Sequence, residues 1–170
     1  MIRVAIDASV LLKAYFRDER GHEAAQELIK LYARGDYDFM APSLIAYEIM
    51  NACSIAHRKG RIGLDLVREI LNEMFSLEIL KKDVAPLRER IFEISCHFSR
   101  SAYDASYVAL AEVEQCDFVT GDEKLCRAIS KDFPFLKLVQ LPRSIFPLSP
   151  FTLFPLLLGP PDIPSTGIPS

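Results

Sequence analysis

Short apolar runs alternate along the chain with longer segments whose apolar residues recur at helical spacing. The short runs predict five strands, at residues 3–6, 38–41, 77–80, 117–120 and 137–141. The longer segments predict helices between them, at residues 9–16, 22–34, 44–59, 64–75, 85–98, 101–115 and 123–130. Strands that alternate with helices are typical of βαβ units built around a parallel sheet. The pattern therefore predicts an α/β domain with a mostly parallel sheet.

The pattern changes near Ser144 and divides the chain into a domain and a tail. Residues 1–143 carry all the predicted strands and helices, whereas residues 144–170 hold seven of the eleven prolines and a single charge, Asp162. Prolines at this density exclude a regular helix or a central strand, so the tail is expected to be extended. Its apolar side chains either pack on this domain or on a partner, or the tail is an extension outside the domain.

Composition and charge narrow the class of protein. Half of the 170 residues are apolar, a quarter are charged and the mean hydropathy is +0.14, values typical of a soluble globular domain. The net charge of −3 and the pI near 5.6 exclude a general basic surface that would attract nucleic acid. Any polyanion must then be met by a local basic patch or by metal ions.

The cysteines and the ends of the chain indicate a reducing cytoplasm. Four single cysteines form no paired metal-ligand motif with one another or with the histidines, so a structural zinc site is not expected. Asp7 interrupts the N-terminal apolar run before it reaches the length of a signal peptide. The apolar stretch at residues 145–158 contains three prolines and is too short to span a membrane. We therefore expect a cytoplasmic protein that makes no membrane contact.

Four acidic residues lie at predicted strand ends or in the first turns of the helices beside them: Asp7, Glu48, Asp104 and Asp122. Each has an ordinary structural explanation, because Asp is a good helix N-cap, Ser101-x-x-Asp104 resembles a capping box and Glu48 can extend into solvent. Together, however, four carboxylates at one sheet edge would repel one another unless cations neutralised them. Oxygen ligands select hard divalent ions, which predicts Mg²⁺ or Mn²⁺ and phosphodiester hydrolysis.

Four sequence blocks carry a family resemblance over the whole domain. They read V-A-I-D-A-S-V-L-L-K, P-S-L-I-A-Y-E-I-M-N-A, S-A-Y-D-A-S-Y-V-A-L-A-E and F-V-T-G-D-E-K-L. In this order and spacing they resemble the PIN-domain ribonucleases, and in particular the VapC toxins of toxin-antitoxin operons. The last block often reads T-A-D in relatives, where this chain has T-G-D.

The resemblance implies a fold, an activity and a set of site residues. The fold is a PIN-like α/β fold, with a central, mostly parallel sheet flanked by helices on both faces. The activity is Mg²⁺-dependent endonucleolytic cleavage of RNA, with Mn²⁺ as a substitute. The implied metal ligands and catalytic residues are Asp7, Glu48, Asp104 and Asp122, with Asn51 and Thr120 supporting them through hydrogen bonds.

The resemblance also implies partners, namely an RNA substrate, a second copy in a homodimer and a cognate antitoxin that covers the acidic groove. Two apolar helix faces are candidates for such contacts, one around Leu28, Leu31 and Tyr32 and one around Leu66, Ile70 and Met74. Burial of these faces in the core is the alternative.

Two other functions compete with the nuclease. A haloacid-dehalogenase-like phosphatase also begins with an Asp after the first strand, but it needs a second Asp where this chain has Ser9. A non-catalytic PIN-fold protein that binds RNA or a partner would gain nothing from four mutually repelling acids. Basic residues that are candidates for phosphate contacts, or for ordinary solvated surface, are Lys13, Arg17, Arg100, Lys124 and Arg127, with a second cluster at His57, Arg58, Lys59 and Arg61.

Overall fold

A computed structural model of the chain describes residues 2–139 and shows one five-stranded sheet in which every strand is parallel to its neighbours. The strands are β1 (Ile2–Ile6), β2 (Tyr37–Pro42), β3 (Leu80–Lys82), β4 (Asp117–Thr120) and β5 (Leu136–Leu138). Their order across the sheet is β3-β2-β1-β4-β5. The α/β class with a parallel sheet is thereby confirmed. The predicted tail, residues 144–170, lies outside the described residues.

Seven helices connect the strands, at the places that the apolar spacing predicts. They are α1 (Ala8–Tyr15), α2 (His22–Ala33), α3 (Ile45–Arg58), α4 (Leu64–Ser76), α5 (Arg88–Phe98), α6 (Ala102–Glu114) and α7 (Glu123–Ile129). A short 3-10 turn, Ala85–Leu87, precedes α5 and contains Pro86. Helix α2 ends just before Gly35, whose φ of 81° lies in the left-handed region that terminates helices.

The direction of the connections reverses once across the sheet, and this reversal creates a crevice. The chain moves from β1 through β2 to β3, then returns to β4 on the other side of β1 and continues to β5. Right-handed crossovers then put α1 to α4 on one face of the sheet and α5 to α7 on the other. Ligand sites of open α/β sheets lie at such a reversal, outside the carboxyl ends of the strands. Here the reversal lies between β1 and β4.

The core is built on the three central strands and on α6. Ala5 of β1 pairs with Met40 of β2 on one side and with Phe118 of β4 on the other, and all three are fully buried. Tyr107 of α6 stacks on Phe118 with ring centroids 5.6 Å apart. Helix α6 contacts β1, β2 and β4 on one side and α5 on another, which explains why seven consecutive residues of this helix are buried. This buried centre fixes the ends of β1 and β4, which precede Asp7 and Asp122, and the helix α6, which carries Asp104.

The third strand was predicted in the wrong place. Residues 77–80 were expected to form it, but α4 extends to Ser76 and the chain then turns through Glu78, whose φ is 48°. The strand begins only at Leu80, where pairing with Met40 starts. It is an edge strand that carries two lysines, and such edge strands lack the apolar run that marks a central one.

The two apolar helix faces that are candidates for partner contacts lie largely in the core. Leu28, Leu31, Ile70 and Met74 are buried, and Leu66 alone of the six is strongly exposed. Tyr32 stacks on Phe39 at 4.4 Å. Burial in the core, the alternative given for these faces, therefore describes them, because helical apolar stripes pack on the sheet. In the part of the chain described, no helix is long and apolar enough to cross a membrane.

Candidate active site

Asp7 follows β1 directly and is held by four hydrogen-bond donors. Its Oδ1 accepts from the backbone N–H of Ser9 at 2.9 Å, from that of Val10 at 3.2 Å and from the Ser9 hydroxyl. Its Oδ2 accepts from the Thr120 hydroxyl at 2.5 Å. Asp7 is thus the N-cap of α1, as its structural explanation requires, and it is also a buried carboxylate at the crevice between β1 and β4.

A short network ties the loop after β4 to Asp7. The Thr120 hydroxyl, which is fully buried, also accepts from the Asp122 N–H at 2.9 Å, and Ser9 Oγ accepts from the Gly121 N–H at 2.7 Å. A Cβ at Gly121 would lie 2.7 Å from Ser9 Oγ and 2.5 Å from Cε of Lys13, so glycine suits this close approach. The network fixes the first strand end relative to the fourth.

Glu48 extends from α3 toward α6. Its Oε2 accepts a hydrogen bond of 2.5 Å from the hydroxyl of Tyr107, whose ring is buried against Phe118. The Glu48 side chain is partly buried. The structural explanation in which Glu48 extends into solvent is therefore only partly correct. A carboxylate held by a rigid tyrosine has a defined orientation.

Asp104 and Asp122 both lie at helix starts. Ser101 is the N-cap of α6, its Oγ accepting from the Asp104 N–H at 3.1 Å and donating to Asp104 Oδ2 at 2.8 Å. Asp122 is the N-cap of α7, with Oδ1 accepting from the N–H groups of Lys124 at 2.7 Å and Leu125 at 3.1 Å. The capping explanations of Asp104 and Asp122 therefore hold. Asp104 Oδ1 and Asp122 Oδ2 take no part in these capping hydrogen bonds.

Electrostatic interactions connect three of the four acids. Burial raises the pKa of Glu48, the Tyr107 hydrogen bond lowers it, and the carboxylates of Asp7 and Asp104 raise it further. Burial also raises the pKa of Asp7, against the hydrogen bonds from Ser9, Thr120 and Val10. Asp122 is exposed and is joined to Asp7 through Thr120. Glu48 is thus coupled electrostatically to Asp7 and Asp104, and Asp122 is linked to Asp7 through Thr120.

The donor set fits a hard divalent cation in its chemistry. It consists of carboxylate and hydroxyl oxygens, and the mutual repulsion of its acids is what a cation relieves. Among residues 2–139, however, no three His, Cys, Asp or Glu side chains stand in a ready metal-binding arrangement. Each of the four carboxylates accepts a hydrogen bond from a protein donor instead.

Two residues of this site escaped the sequence analysis, and one predicted residue is not engaged. Ser9 and Tyr107 donate to Asp7 and Glu48. Tyr107 lies three residues after Asp104, on the same face of α6, so helical spacing was a usable signal. The side chain of Asn51 is exposed and makes no hydrogen bond within residues 2–139, and its supporting role stays a prediction.

Most of the candidate basic residues have protein partners. The Lys13 ammonium donates to the Arg20 carbonyl at 2.9 Å, Arg100 donates to the Phe98 carbonyl and Arg127 pairs with Glu123. In the second cluster, Arg61 binds Asp18 and Glu19 and lies over the ring of Phe16. Ordinary surface pairing accounts for these residues better than phosphate binding does.

A cavity of about 350 Å³ between α1, α2 and α4 is lined by none of the four acids.

Comparisons with known proteins identify the family and the fold of the chain. A family model described as the PIN domain matches residues 4–130. Ribonuclease VapC9 of Mycobacterium tuberculosis is 34% identical over 124 residues, which are 72% of this chain and 87% of that protein. The crystal structure of PAE2754 from Pyrobaculum aerophilum matches with a TM-score of 0.57 and 25% identity, over 75% of this chain and 86% of that one.

A second solved structure shows the same fold at lower identity. VapBC2 from Rickettsia felis, bound to a DNA fragment from its promoter, matches with a TM-score of 0.54 and 17% identity, over 81% of this chain and 97% of that one. The family match covers the segment that contains all four acids, from the first strand to the last helix. The chain therefore belongs to the PIN-domain family and, within it, to the VapC proteins.

Proposed function

We propose that this chain is an endoribonuclease that hydrolyses RNA phosphodiester bonds with the help of a divalent cation, and that it is the toxin of a toxin-antitoxin pair. One observation carries the proposal. Asp7 lies at the carboxyl end of β1, where the connections reverse, and Ser9 and Thr120 hold its carboxylate, while the carboxylates of Asp7 and Asp104 raise the pKa of Glu48. The VapC relatives, named as ribonucleases, support the reaction class.

The residues of the chain have distinct tasks in this reaction. Asp7, Glu48, Asp104 and Asp122 would hold Mg²⁺, or Mn²⁺ in its place. Ser9 and Thr120 orient the Asp7 carboxylate, and Tyr107 orients that of Glu48. When bound, the cation would lower the pKa of the attacking water and stabilise negative charge on the phosphoryl oxygens.

The surroundings of the acids support an orienting role for the protein. Asp7 is only 9% exposed and Thr120 is fully buried, so the carboxylate has few alternative positions. Groups fixed before the reaction begins need no reorganisation during it, which is how preorganised polar sites accelerate reactions. Loss of Ser9 or Tyr107 is thus expected to slow cleavage without removing a proposed ligand.

Incubation of the purified chain with total RNA tests this proposal. We expect cleavage with Mg²⁺ and none with EDTA, and we expect Asp7→Asn to abolish cleavage while the fold persists. Mapping the new 5′ ends identifies the target sequence. Cleavage that proceeds in EDTA would contradict the proposed metal dependence. The absence of RNA cleavage under all conditions would leave the non-catalytic alternative in place.

The alternative phosphatase has less support. Its second Asp would occupy position 9, where the Ser9 hydroxyl bonds to Asp7 and to the Gly121 N–H. An aspartate there would add a fifth charge beside Asp7 and lose the hydroxyl donor. Hydrolysis of a small phosphomonoester by the wild type, with no action on RNA, would favour the phosphatase.

The partners follow from the VapC relationship. We propose a cytoplasmic homodimer whose acidic crevice is covered by a cognate antitoxin, which would silence the nuclease until it is removed. The acids attract a basic antitoxin segment for the same reason that they attract cations. Sedimentation at micromolar concentration checks the dimer, and a monomer there removes it from the proposal.

A further inference from the structure

Lys13, in the last turn of α1, is a cation that is largely withdrawn from solvent. Its side chain is only 16% exposed, and charged side chains are seldom buried without a specific partner. The ammonium donates to the Arg20 carbonyl at 2.9 Å and lies 3.8 Å from the Glu19 carboxylate. By contrast, the side chain of Lys30 on α2 is 60% exposed. The buried path of Lys13 therefore calls for an explanation beyond surface charge.

Two glycines border the path of the Lys13 side chain. A Cβ at Gly121 would lie 2.5 Å from Cε and 2.8 Å from Cδ of the lysine, and a Cβ at Gly21 would lie 3.8 Å from the same Cδ. The aliphatic part of Lys13 thus packs directly on the backbone of the loop between β4 and α7. It then continues to the α1–α2 turn, where the ammonium is bound.

The loop that contacts the lysine carries Asp122, the only one of the four acids that is exposed. Asp122 follows Gly121 directly, and its Oδ1 accepts from two backbone N–H groups of α7. The direction of this carboxylate therefore follows the backbone around it. Thr120 and Ser9 hold the loop through hydrogen bonds to its N–H groups, and Lys13 adds a packing contact on Gly121 itself.

The α1–α2 turn, which binds the ammonium, is itself connected to other elements. Arg61 donates to Glu19 of this turn at 2.9 Å, which ties the turn to the end of α3. Arg20 pairs with Glu123, the first residue of α7, at 3.2 Å. The Arg20 side chain is 89% exposed, and exposed ion pairs stabilise little. The shielded hydrogen bond of Lys13 is therefore the stronger link between this turn and the Asp122 loop.

We propose that Lys13 is a positioning residue for the divalent cation, because it holds the Gly121 backbone and thereby keeps Asp122 at the crevice between β1 and β4. The Arg20 carbonyl fixes the ammonium, and the aliphatic part of the side chain supports the loop. Lys13 touches neither the cation nor the RNA in this role. The inference rests on the proposed function, in which Asp122 is a metal ligand. Groups that orient a metal ligand contribute roughly 10- to 100-fold to metal affinity or activity.

Binding of Mn²⁺ to the full-length chain, followed by the electron paramagnetic resonance signal of the free ion, tests this role without RNA. We expect Lys13→Ala, which removes both the stem and the ammonium, to weaken Mn²⁺ binding by about tenfold. Lys13→Met keeps the stem as far as Cε and removes only the ammonium, so it should weaken binding less. Lys30→Ala is the matched control and should bind Mn²⁺ as the wild type does, because Lys30 is exposed and pairs with Glu27 of its own helix.

Cleavage kinetics give a second readout, which separates ion positioning from contact with RNA. Lys13→Ala should raise the Mg²⁺ concentration for half-maximal cleavage by about tenfold and leave KM for RNA and the rate at saturating Mg²⁺ within about twofold. Circular dichroism establishes that each variant is folded, and Lys13→Met carries the test if Lys13→Ala does not fold.

Mn²⁺ affinity equal to that of the wild type in both Lys13 variants would overturn the positioning role. A raised KM for RNA with an unchanged Mg²⁺ dependence would also overturn it and assign the lysine to phosphate contact. Asp122→Asn separates this inference from the proposed function. If Asp122→Asn weakens Mn²⁺ binding and the Lys13 variants do not, only the positioning role fails. If the wild type binds no Mn²⁺ and cleaves no RNA, the proposed function fails, and this inference fails with it.

Discussion

At the scale of single residues, Thr120 links two strand ends through one hydroxyl. It donates to Asp7 Oδ2 at 2.5 Å and accepts from the Asp122 N–H at 2.9 Å, in a position without solvent exposure. A buried polar group that loses its partner pays its desolvation cost in full. The Thr120 hydroxyl therefore holds two proposed ligands in register.

We expect Thr120→Val to lower the free energy of unfolding by about 1–3 kcal/mol, because the isosteric side chain leaves Asp7 Oδ2 and the Asp122 N–H without their partner. Equilibrium unfolding in urea measures the change. Ser76→Ala, which removes an exposed hydroxyl from the end of α4, is the control and should change stability by less than about 0.5 kcal/mol. Equal stability of the valine variant and the wild type would show that this hydroxyl is not structurally important.

The second prediction at the residue scale concerns the effect of the Glu48 charge on stability. Glu48→Gln removes repulsion from Asp7 and Asp104, while the amide oxygen still accepts from Tyr107. In EDTA near pH 7 we expect stabilisation on the order of 1 kcal/mol, or a rise in Tm of about 2–4 °C. Glu69→Gln, at an exposed position of α4, should leave Tm unchanged. A lower Tm for Glu48→Gln would contradict a repulsive cluster.

At the scale of elements, the sequence predicts those strands and helices whose signals are local. Strand β4 was predicted with its observed bounds, because its apolar run is fully buried between polar turns. Strand β3 was misplaced, because its lysines reflect an edge position that only the sheet order reveals. The capping roles of Asp7, Ser101 and Asp122 were also readable from spacing.

The parts of the site that were missed depend on contacts between distant elements. The Tyr107 bond to Glu48 joins residues 59 positions apart, and the Ser9 bond to the Gly121 N–H spans 112 positions. Apolar spacing within one helix gives no information on such pairs. The positions of the acids along the predicted elements, together with the family resemblance, predicted them as site residues. The structure adds the hydrogen bonds from Ser9 and Tyr107 that orient Asp7 and Glu48.

The cap of α6 gives a prediction at this scale. Ser101→Ala removes the hydroxyl that binds both the N–H and the carboxylate of Asp104, so we expect a loss of about 1 kcal/mol in urea unfolding. Ser101→Thr retains a capping hydroxyl and should lose less. If the alanine variant is as stable as wild type, the cap contributes nothing to α6.

At the scale of the whole molecule, residues 2–139 contain the five-stranded sheet and all four acids. The crevice between β1 and β4, the orienting hydrogen bonds and the core beneath them all lie within residues 2–139. None of the proposed ligands comes from the proline-rich tail, residues 144–170. The domain is therefore expected to carry the chemistry by itself.

Truncation after Arg143 tests this division. We expect the shortened chain to retain metal-dependent RNA cleavage, while solubility or oligomeric state changes because apolar tail residues are removed. Cleavage assays with Mg²⁺ and with EDTA, alongside circular dichroism to establish folding, give the readout. A truncated chain that is folded but has lost metal-dependent cleavage would show that the tail belongs to the catalytic unit.

The most direct test of the central claim is the rate of RNA cleavage as a function of Mg²⁺ concentration in wild type and Asp104→Asn. Asp104 is the informative acid, because it is partly exposed and its side-chain hydrogen bond comes from Ser101 alone, whereas Asp7 also caps α1. Asp65→Asn, at a fully exposed carboxylate, is the control. The account predicts a saturable Mg²⁺ dependence in wild type and in the control, and loss of cleavage in Asp104→Asn with the fold retained. Cleavage by Asp104→Asn at the wild-type rate, with the same Mg²⁺ dependence, would contradict it.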